Sequence, residues 1–275
     1  MFTETAYAKL NLALHVRRRR EDGYHDIESL FAFCTDGDTL RGEFRDDGAI
    51  TLTIDGPFAD ALAADEDNLV LRAAYALRDA AGIPFGADLH LTKNLPIAAG
   101  IGGGSADAAA ALRLLLRLWD IRPMDIDLPT IARALGADVP ACLGSMTVFG
   151  SGVGERLETV DAGVEELPVL LVNPLVACPT GPVFKSWDRV DRGPLDPLAW
   201  AEGRNDLEPA ALALVPAIAE VLGALHALSG VTLSRMSGSG ATCFALFEDD
   251  AARDAADAMI RTAHAGWWTM ASNLK

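Results

Sequence analysis

Four glycines fall within five positions, at Gly100, Gly102, Gly103 and Gly104, inside the stretch PIAAGIGGGSADAAAALRLLLRLW. Glycine permits positive φ and lets a ligand approach the main chain closely. Ser105 and Asp107 follow, then an Ala/Leu run, which together predict a helix from about Ser105 to Trp119 with Ser105 as its N-cap. A helix start aims unpaired N–H groups and a positive dipole end into the preceding loop. That arrangement binds anions, phosphates above all. The loop is not a P-loop, because Ala106 and Asp107 stand where Lys and Ser/Thr are required. It also fits a dinucleotide fingerprint poorly, since Pro96 precedes it and no complete βαβ unit with a ribose-binding acid is evident. A flexible strand-to-helix connection is the other reading. Dense glycine between Pro96 and a capping serine favours phosphate binding.

The remaining candidates are weaker when read singly. A second glycine turn, MSGSGATCF, holds Gly238, Ser239 and Gly240, and alone it reads as a tight hairpin. In AYAKLNLALHV the aliphatics alternate with Lys9, Asn11 and His15, so it is a strand with Lys9 and Asn11 on one face. On pattern alone that face meets solvent. Asp138, just before Val139-Pro140, reads as a turn residue. Tyr24 and Phe184 read as packing aromatics, and His25 as a satisfied polar group.

The elements that must position these residues can be read coarsely. Strands are predicted at AITLTID, ADLHLTKNLP and LPVLLVNP, and a hairpin at SMTVFGSGVGERLETV. DNLVLRAAYALRDAAGI is an amphipathic helix ending near Gly82, and LPTIARALGADVPACL a short helix ending near Gly136 with a turn at Asp138. TGPVFKSW is a loop leading into a short helix, and PLDPLAWAEGRNDLEP has the residues of a linker or lid. VTLSRMSGSGATCFALF is strand, glycine turn, strand; a helix and a short strand close the chain. Strands mixed with helices without strict βαβ alternation indicate an α+β protein. Its boundary is expected near residue 160, giving lobes 1–160 and 161–275.

Composition excludes several classes. The 275 residues carry a net charge of −16, so an extended nucleic-acid surface is not expected. The one basic run, Arg17 to Arg20, reads as a solvated turn. No apolar run approaches membrane-spanning length, and the N-terminus lacks the form of a signal peptide, so the expectation is a soluble cytoplasmic protein without a membrane partner. Cys34, Cys142, Cys178 and Cys243 lie among apolar neighbours without C-x-x-C spacing, and the histidines lack ligand spacing. No protein-built metal site is predicted.

Taken together, AYAKLNLALHV, PIAAGIGGGSADAA and MSGSGATCFALF resemble the three motifs of the GHMP kinases, in that family's order and across nearly the whole chain. REDGYHDIESLF, GADVPACL, NPLVACPTGPVFK and NDLEPA narrow the resemblance to the branch that phosphorylates a cytidine diphosphate sugar alcohol in non-mevalonate isoprenoid synthesis. The resemblance implies a two-lobed α+β fold with the active site in the cleft between lobes. It also implies ATP brought with Mg²⁺, and a monomer or weak homodimer. Other small-molecule GHMP kinases of mevalonate or homoserine type, and a non-catalytic sensor on the same fold, stand as alternatives.

The resemblance also assigns roles. Lys9 and Asp138 match the catalytic pair. Pro96, Ile97, Ala98, Ala99, Gly100, Ile101, Gly102, Gly103, Gly104, Ser105 and Ala106 match the nucleotide loop, where Ser105 can reach a phosphate or its metal, or simply cap the helix. Asn68, Leu69 and Lys93 match positions near adenine. Tyr24 and Phe184 match aromatics that stack on cytosine, His25 and Asn11 match groups on the base edge, and Thr180 lies where the sugar alcohol is contacted. Gly238, Ser239 and Gly240 form the third motif, expected to line the cleft. Ala98 and Ala99 stand where relatives carry glycine, and Ile101 where leucine is common; no needed donor is lost.

Overall fold

A strand with one wet face should alternate in burial, yet every residue from Ala8 to Val16 is buried. A computed structural model describes residues 1–275, apart from the side chain of Ala61. In chain order the elements are β1 (Phe2–Arg19), β2 (His25–Arg45), β3 (Ile50–Asp55), α1 (Leu69–Ala81), β4 (Gly86–Thr92), α2 (Gly103–Leu118), α3 (Leu128–Leu135), α4 (Val139–Gly144), β5 (Val148–Gly152), β6 (Arg156–Thr159) and β7 (Pro168–Asn173). There follow α5 (Thr180–Lys185), α6 (Glu208–Leu214), α7 (Ala217–His226), β8 (Val231–Met236), β9 (Cys243–Phe247), α8 (Asp250–Ala263) and β10 (Trp268–Asn273).

These elements form two compact units, each assembled from separated segments. One comprises Met1–Ala8, Asp36–Ile97 and Gly102–Ser145; the other comprises Lys9–Thr35, Ala98–Ile101 and Met146–Lys275. The boundary expected at residue 160 falls inside the second unit. The cause is strand length: β1 has 18 residues and β2 has 21, and each runs through both units.

In the first unit, Thr39–Arg45 of β2 pairs antiparallel with β4, and β4 pairs parallel with β3. Helix α2 packs against α1 and α4. Its alanines at 106 and 108–111 are all buried, and small side chains let neighbours close on it at interior density. The α1 start and stop are written locally. The Asn68 side chain accepts the Val70 N–H at 2.9 Å, and Gly82 ends the helix with φ of 62°. Helix α4 replaces what the sequence suggests is only a turn. Pro140 falls at its second position, where a missing N–H costs nothing.

In the second unit, four antiparallel strands lie in the order β10-β7-β9-β8, with α7 and α8 packed on the sheet. All six residues of β7 are buried, as the unbroken apolar run predicts. β5 and β6 form the expected hairpin. Helix α5 begins at Thr180 itself rather than after a loop. The four cysteines are buried and unbridged. Among the described residues no helix is long and apolar enough to cross a membrane.

Candidate active site

Three separated stretches meet within the second unit. The Lys9 amide donates to the Ile101 carbonyl at 2.9 Å, and the Thr242 amide to the Ala99 carbonyl at 3.1 Å. Ser237 links all three: its hydroxyl donates to the Gly100 carbonyl at 3.0 Å and accepts the Asn11 amide at 3.1 Å. Thus the middle of β1, residues 98–101 and the turn after β8 are stitched together by main-chain bonds and the Ser237 hydroxyl. Gly100 has φ of 76°, and a Cβ there would lie 2.7 Å from the carbonyl oxygens of Gly240 and Ser237. Both the left-handed conformation and the close approach demand glycine. Gly100→Ala should therefore push residues 98–101 off the 237–242 turn. We expect the KM for ATP to rise at least about tenfold, since a 1 Å misplacement can cost about a hundredfold; steady-state kinetics with thermal unfolding checks this.

Lys9 and Asn11 do not face solvent. They are 4% and 2% exposed, because both faces of β1 are covered here. The Lys9 ammonium donates to Asn11 Oδ1 at 3.2 Å and lies 4.8 Å from the centre of the Phe31 ring. Asn11 Nδ2 donates to Ser29 Oγ at 2.7 Å, which in turn donates to the Ala13 carbonyl at 2.7 Å. A buried ammonium is costly unless hydrogen-bonded, and this relay holds it in one orientation. The polar atoms of Asn11 are engaged with Lys9 and Ser29, so in this structure Asn11 positions the lysine.

The rest of the nucleotide loop belongs to the first unit. Helix α2 starts two residues earlier than Ser105 suggests: Gly102 is its N-cap, with φ of 65°, and Ser105 sits inside the first turn. The first internal hydrogen bond is Ala106 N–H to the Gly102 carbonyl at 2.8 Å. The amides of Gly103, Gly104 and Ser105 come before it and have no helical acceptor. Those donors on a 16-residue helix fit phosphate oxygens. Leu69 Cδ1 would touch a Cβ on Gly104 at 3.4 Å, which sets the α1 start against this turn.

Lys93, matched by the resemblance to a position near adenine, is buried. Its ammonium is buried in an ion pair with Asp38 and another with Asp107 at 2.7 Å. It also lies 3.6 Å from where a Gly103 Cβ would be, so it supports the α2 start from beneath. Asp138 stands at the N-cap position of α4, and its side chain makes no capping hydrogen bond.

A second group of predicted residues gathers on α5 and the β1–β2 hairpin. The Phe184 and His25 rings are 5.1 Å apart, and Trp187 meets His25 edge-on at 5.8 Å. Burial first, then the Arg19 guanidinium, hold the His25 imidazole below its ordinary range and favour its neutral form. Tyr24 is 65% exposed and is not a core residue. Thr180, at the start of α5, shares a 3.0 Å hydrogen bond with Ser239. Helix α5 thereby joins the third motif to the aromatic group.

Some functional neighbours escaped the sequence reading. Asn205 Nδ2 donates to the carbonyls of Met236 and Gly238, each at 2.8 Å, clamping the glycine turn. Asp206 accepts the Val16 amide at 2.9 Å. Asn205, Asp206 and Leu207, in the latter part of the stretch read as a linker or lid, are buried. Trp187 and Ser237 carry no signal beyond being near recognised residues.

Residues 68–145 match the model of the GHMP kinases N terminal domain, and residues 190–265 that of the GHMP kinases C terminal domain. A 4-diphosphocytidyl-2-C-methyl-D-erythritol kinase of Rhizorhabdus wittichii is 58% identical, over 99% of this chain and 94% of that protein. One of the same name from Sphingopyxis alaskensis is 52% identical, over 99% of this chain and 98% of the relative. A crystal structure of 4-(cytidine 5'-diphospho)-2C-methyl-D-erythritol kinase superposes with a TM-score of 0.84 at 37% identity, covering 99% of both chains. With its three motifs converging around one buried lysine, the chain belongs to the GHMP kinase family, among relatives that are 4-diphosphocytidyl-2-C-methyl-D-erythritol kinases.

Proposed function

We propose that this kinase transfers the γ-phosphoryl group of ATP to the 2-hydroxyl of 4-diphosphocytidyl-2-C-methyl-D-erythritol, giving the 2-phosphate and ADP. The reading is supported foremost by the convergence of β1, residues 98–101 and the 237–242 turn on Lys9. Full-length identity to relatives of that name supports the substrate.

In this reaction a bond forms between the substrate oxygen and the γ-phosphorus, and the bond from that phosphorus to the β-phosphate oxygen breaks. Catalysis of this kind rests on positioning and charge stabilisation. Asp138 takes the proton of the attacking hydroxyl. The Lys9 ammonium, oriented by Asn11, stabilises charge on the transferred group. Backbone amides at the α2 start bind the phosphates. Mg²⁺ arriving with ATP would supply charge neutralisation for the phosphates, with the Ser105 hydroxyl in the first turn of α2 as the side chain that would contact it. The base lies between Tyr24 and Phe184, with His25, neutral, on its edge, and unpaired polar groups penalise a wrong base.

A substrate panel with ATP tests the assignment. Phosphorylation of the cytidylated sugar alcohol, and none of mevalonate or homoserine, is the expected result. Turnover of mevalonate or homoserine instead would sink the specificity and leave the fold intact.

A further inference from the structure

The kinase reading leaves the arginine run at the hairpin tip unused. The chain has 39 acidic and 23 basic residues. Arg17 is paired with Glu28 at 3.1 Å and Asp191 at 3.0 Å, Arg18 with Asp26 at 2.5 Å, and Arg20 with Asp22 at 2.9 Å. Arg19 has no such partner among the described residues, and neither does Arg189. The carboxylates beside Arg189 are already engaged: Asp188 with Arg192 and Asp191 with Arg17. Both unpaired arginines line one cavity of about 500 Å³, with Trp187 in its wall and Glu21 as the sole carboxylate there.

The position of this cavity separates it from phosphoryl transfer. Along the hairpin, Asn11 meets Ser29, and Arg18 meets Asp26 nearer the tip, which puts Arg19 opposite His25. Ser29 and His25 are four residues apart, about 13 Å of strand. Along the other wall, Thr180 comes first, then Phe184, then Trp187 and Arg189. Both walls run in the same order: reacting end, base site, arginines. This orientation rests on the substrate reading above. A nucleotide whose base lies at His25 and Phe184 and whose sugar alcohol lies at Thr180 directs its own diphosphate away from Arg19.

We propose that Arg19 and Arg189 form a second anion site that takes a small polyphosphate, distinct from the ATP and sugar-nucleotide phosphates. Two guanidiniums present several donors in planar forks, which match phosphate oxygens. His25 lies between this site and the base, so an anion here acts on base recognition through Arg19.

Inorganic pyrophosphate is the probe. Titrated calorimetrically into the full chain, in metal-free buffer with a saturating ATP analogue, it should show one saturable site with Kd below about 1 mM. Arg19→Ala with Arg189→Ala should weaken it at least about tenfold, and the paired Lys variants by less. Both positions are exposed, so folding is retained. An absent site, or an unchanged Kd in the double Ala variant, overturns the proposal. Cytidine diphosphate, titrated alike, should lose less than about twofold in the double Ala variant; a tenfold loss would give the arginines to the nucleotide's own phosphates and also overturn it. Failure of cytidine to bind at all would count against the substrate reading while leaving the pyrophosphate titration decisive.

Discussion

Asp138→Asn should lower kcat by about a hundredfold to ten-thousandfold, with the KM for ATP changed by no more than a few fold. The substitution keeps size and shape but removes the negative charge and with it the capacity to accept a proton. The Asp138 side chain does not cap α4, so losing its charge costs that helix no capping bond. The amides assigned to phosphate belong to Gly103, Gly104 and Ser105, not to Asp138, so ATP binding is largely preserved. A fall in kcat and in kcat/KM by the same factor is the signature of an interaction made in the transition state. Equal activity of the variant would remove Asp138 from the mechanism, and a large rise in the KM for ATP alone would make it a binding residue. Lys9→Met gives a contrasting result. It also lowers kcat, but it orphans Asn11 Oδ1, which accepts from the ammonium at 3.2 Å. A drop in thermal stability should therefore accompany the kinetic loss for Lys9.

That contrast shows which parts of the site the sequence could reveal. The glycine loop was legible because its demands are local: positive φ at Gly100 and Gly102 and free amides at a helix start each need particular residue types at adjacent positions. The exact cap was not, because Gly102 in the left-handed region does what a serine side chain does elsewhere, which moves the α2 start to Gly103. The alternation puts Lys9 and Asn11 on the right strand but predicts a wet face, whereas both are buried. Alternation reports burial only when one face of a strand is exposed, and neither face of β1 is exposed at these residues. Asn205 was visible as part of a polar, turn-rich stretch. Its role depends on carbonyls some 30 residues away, and composition cannot encode that. The same limit hid the partners of Lys93, whose carboxylates come from positions 38 and 107.

Those carboxylates make Lys93 the site of the largest expected stability effect. Lys93→Met should destabilise the protein by about 3–5 kcal/mol at neutral pH, because breaking a buried pair strands the remaining charge. For a chain of this size that is a fall in Tm of roughly 10 °C. Asp38 Oδ1 accepts the amides of Asn94 at 2.6 Å and Leu95 at 2.8 Å, so it is tied to backbone. Asp107 has no second support: its Oδ1 is buried without a partner. Burial, with the charge of Asp38 adding to it against the opposing pull of Lys93, raises the Asp107 carboxyl to about 7. The unfolded chain therefore releases this proton near 3.8 and the folded chain only near 7. The Asp107 contribution is fully present below about 3.8 and is lost as pH rises through about 7. Burial opposes the charge on Lys93, but the two carboxylates outweigh it and raise its pKa, so its own contribution holds until alkaline pH. Asp107→Asn should flatten the stability profile between pH 4 and 7, whereas Lys93→Met should steepen it and recover toward acid. Because the ammonium lies beneath Gly103, Lys93→Met should also raise the KM for ATP, while Asp107→Asn should leave it nearly unchanged. Urea unfolding at several pH values, with ATP kinetics on the same variants, separates these outcomes. A flat profile for Lys93→Met would mean that Asp107 is not the proton-holding carboxylate beneath α2.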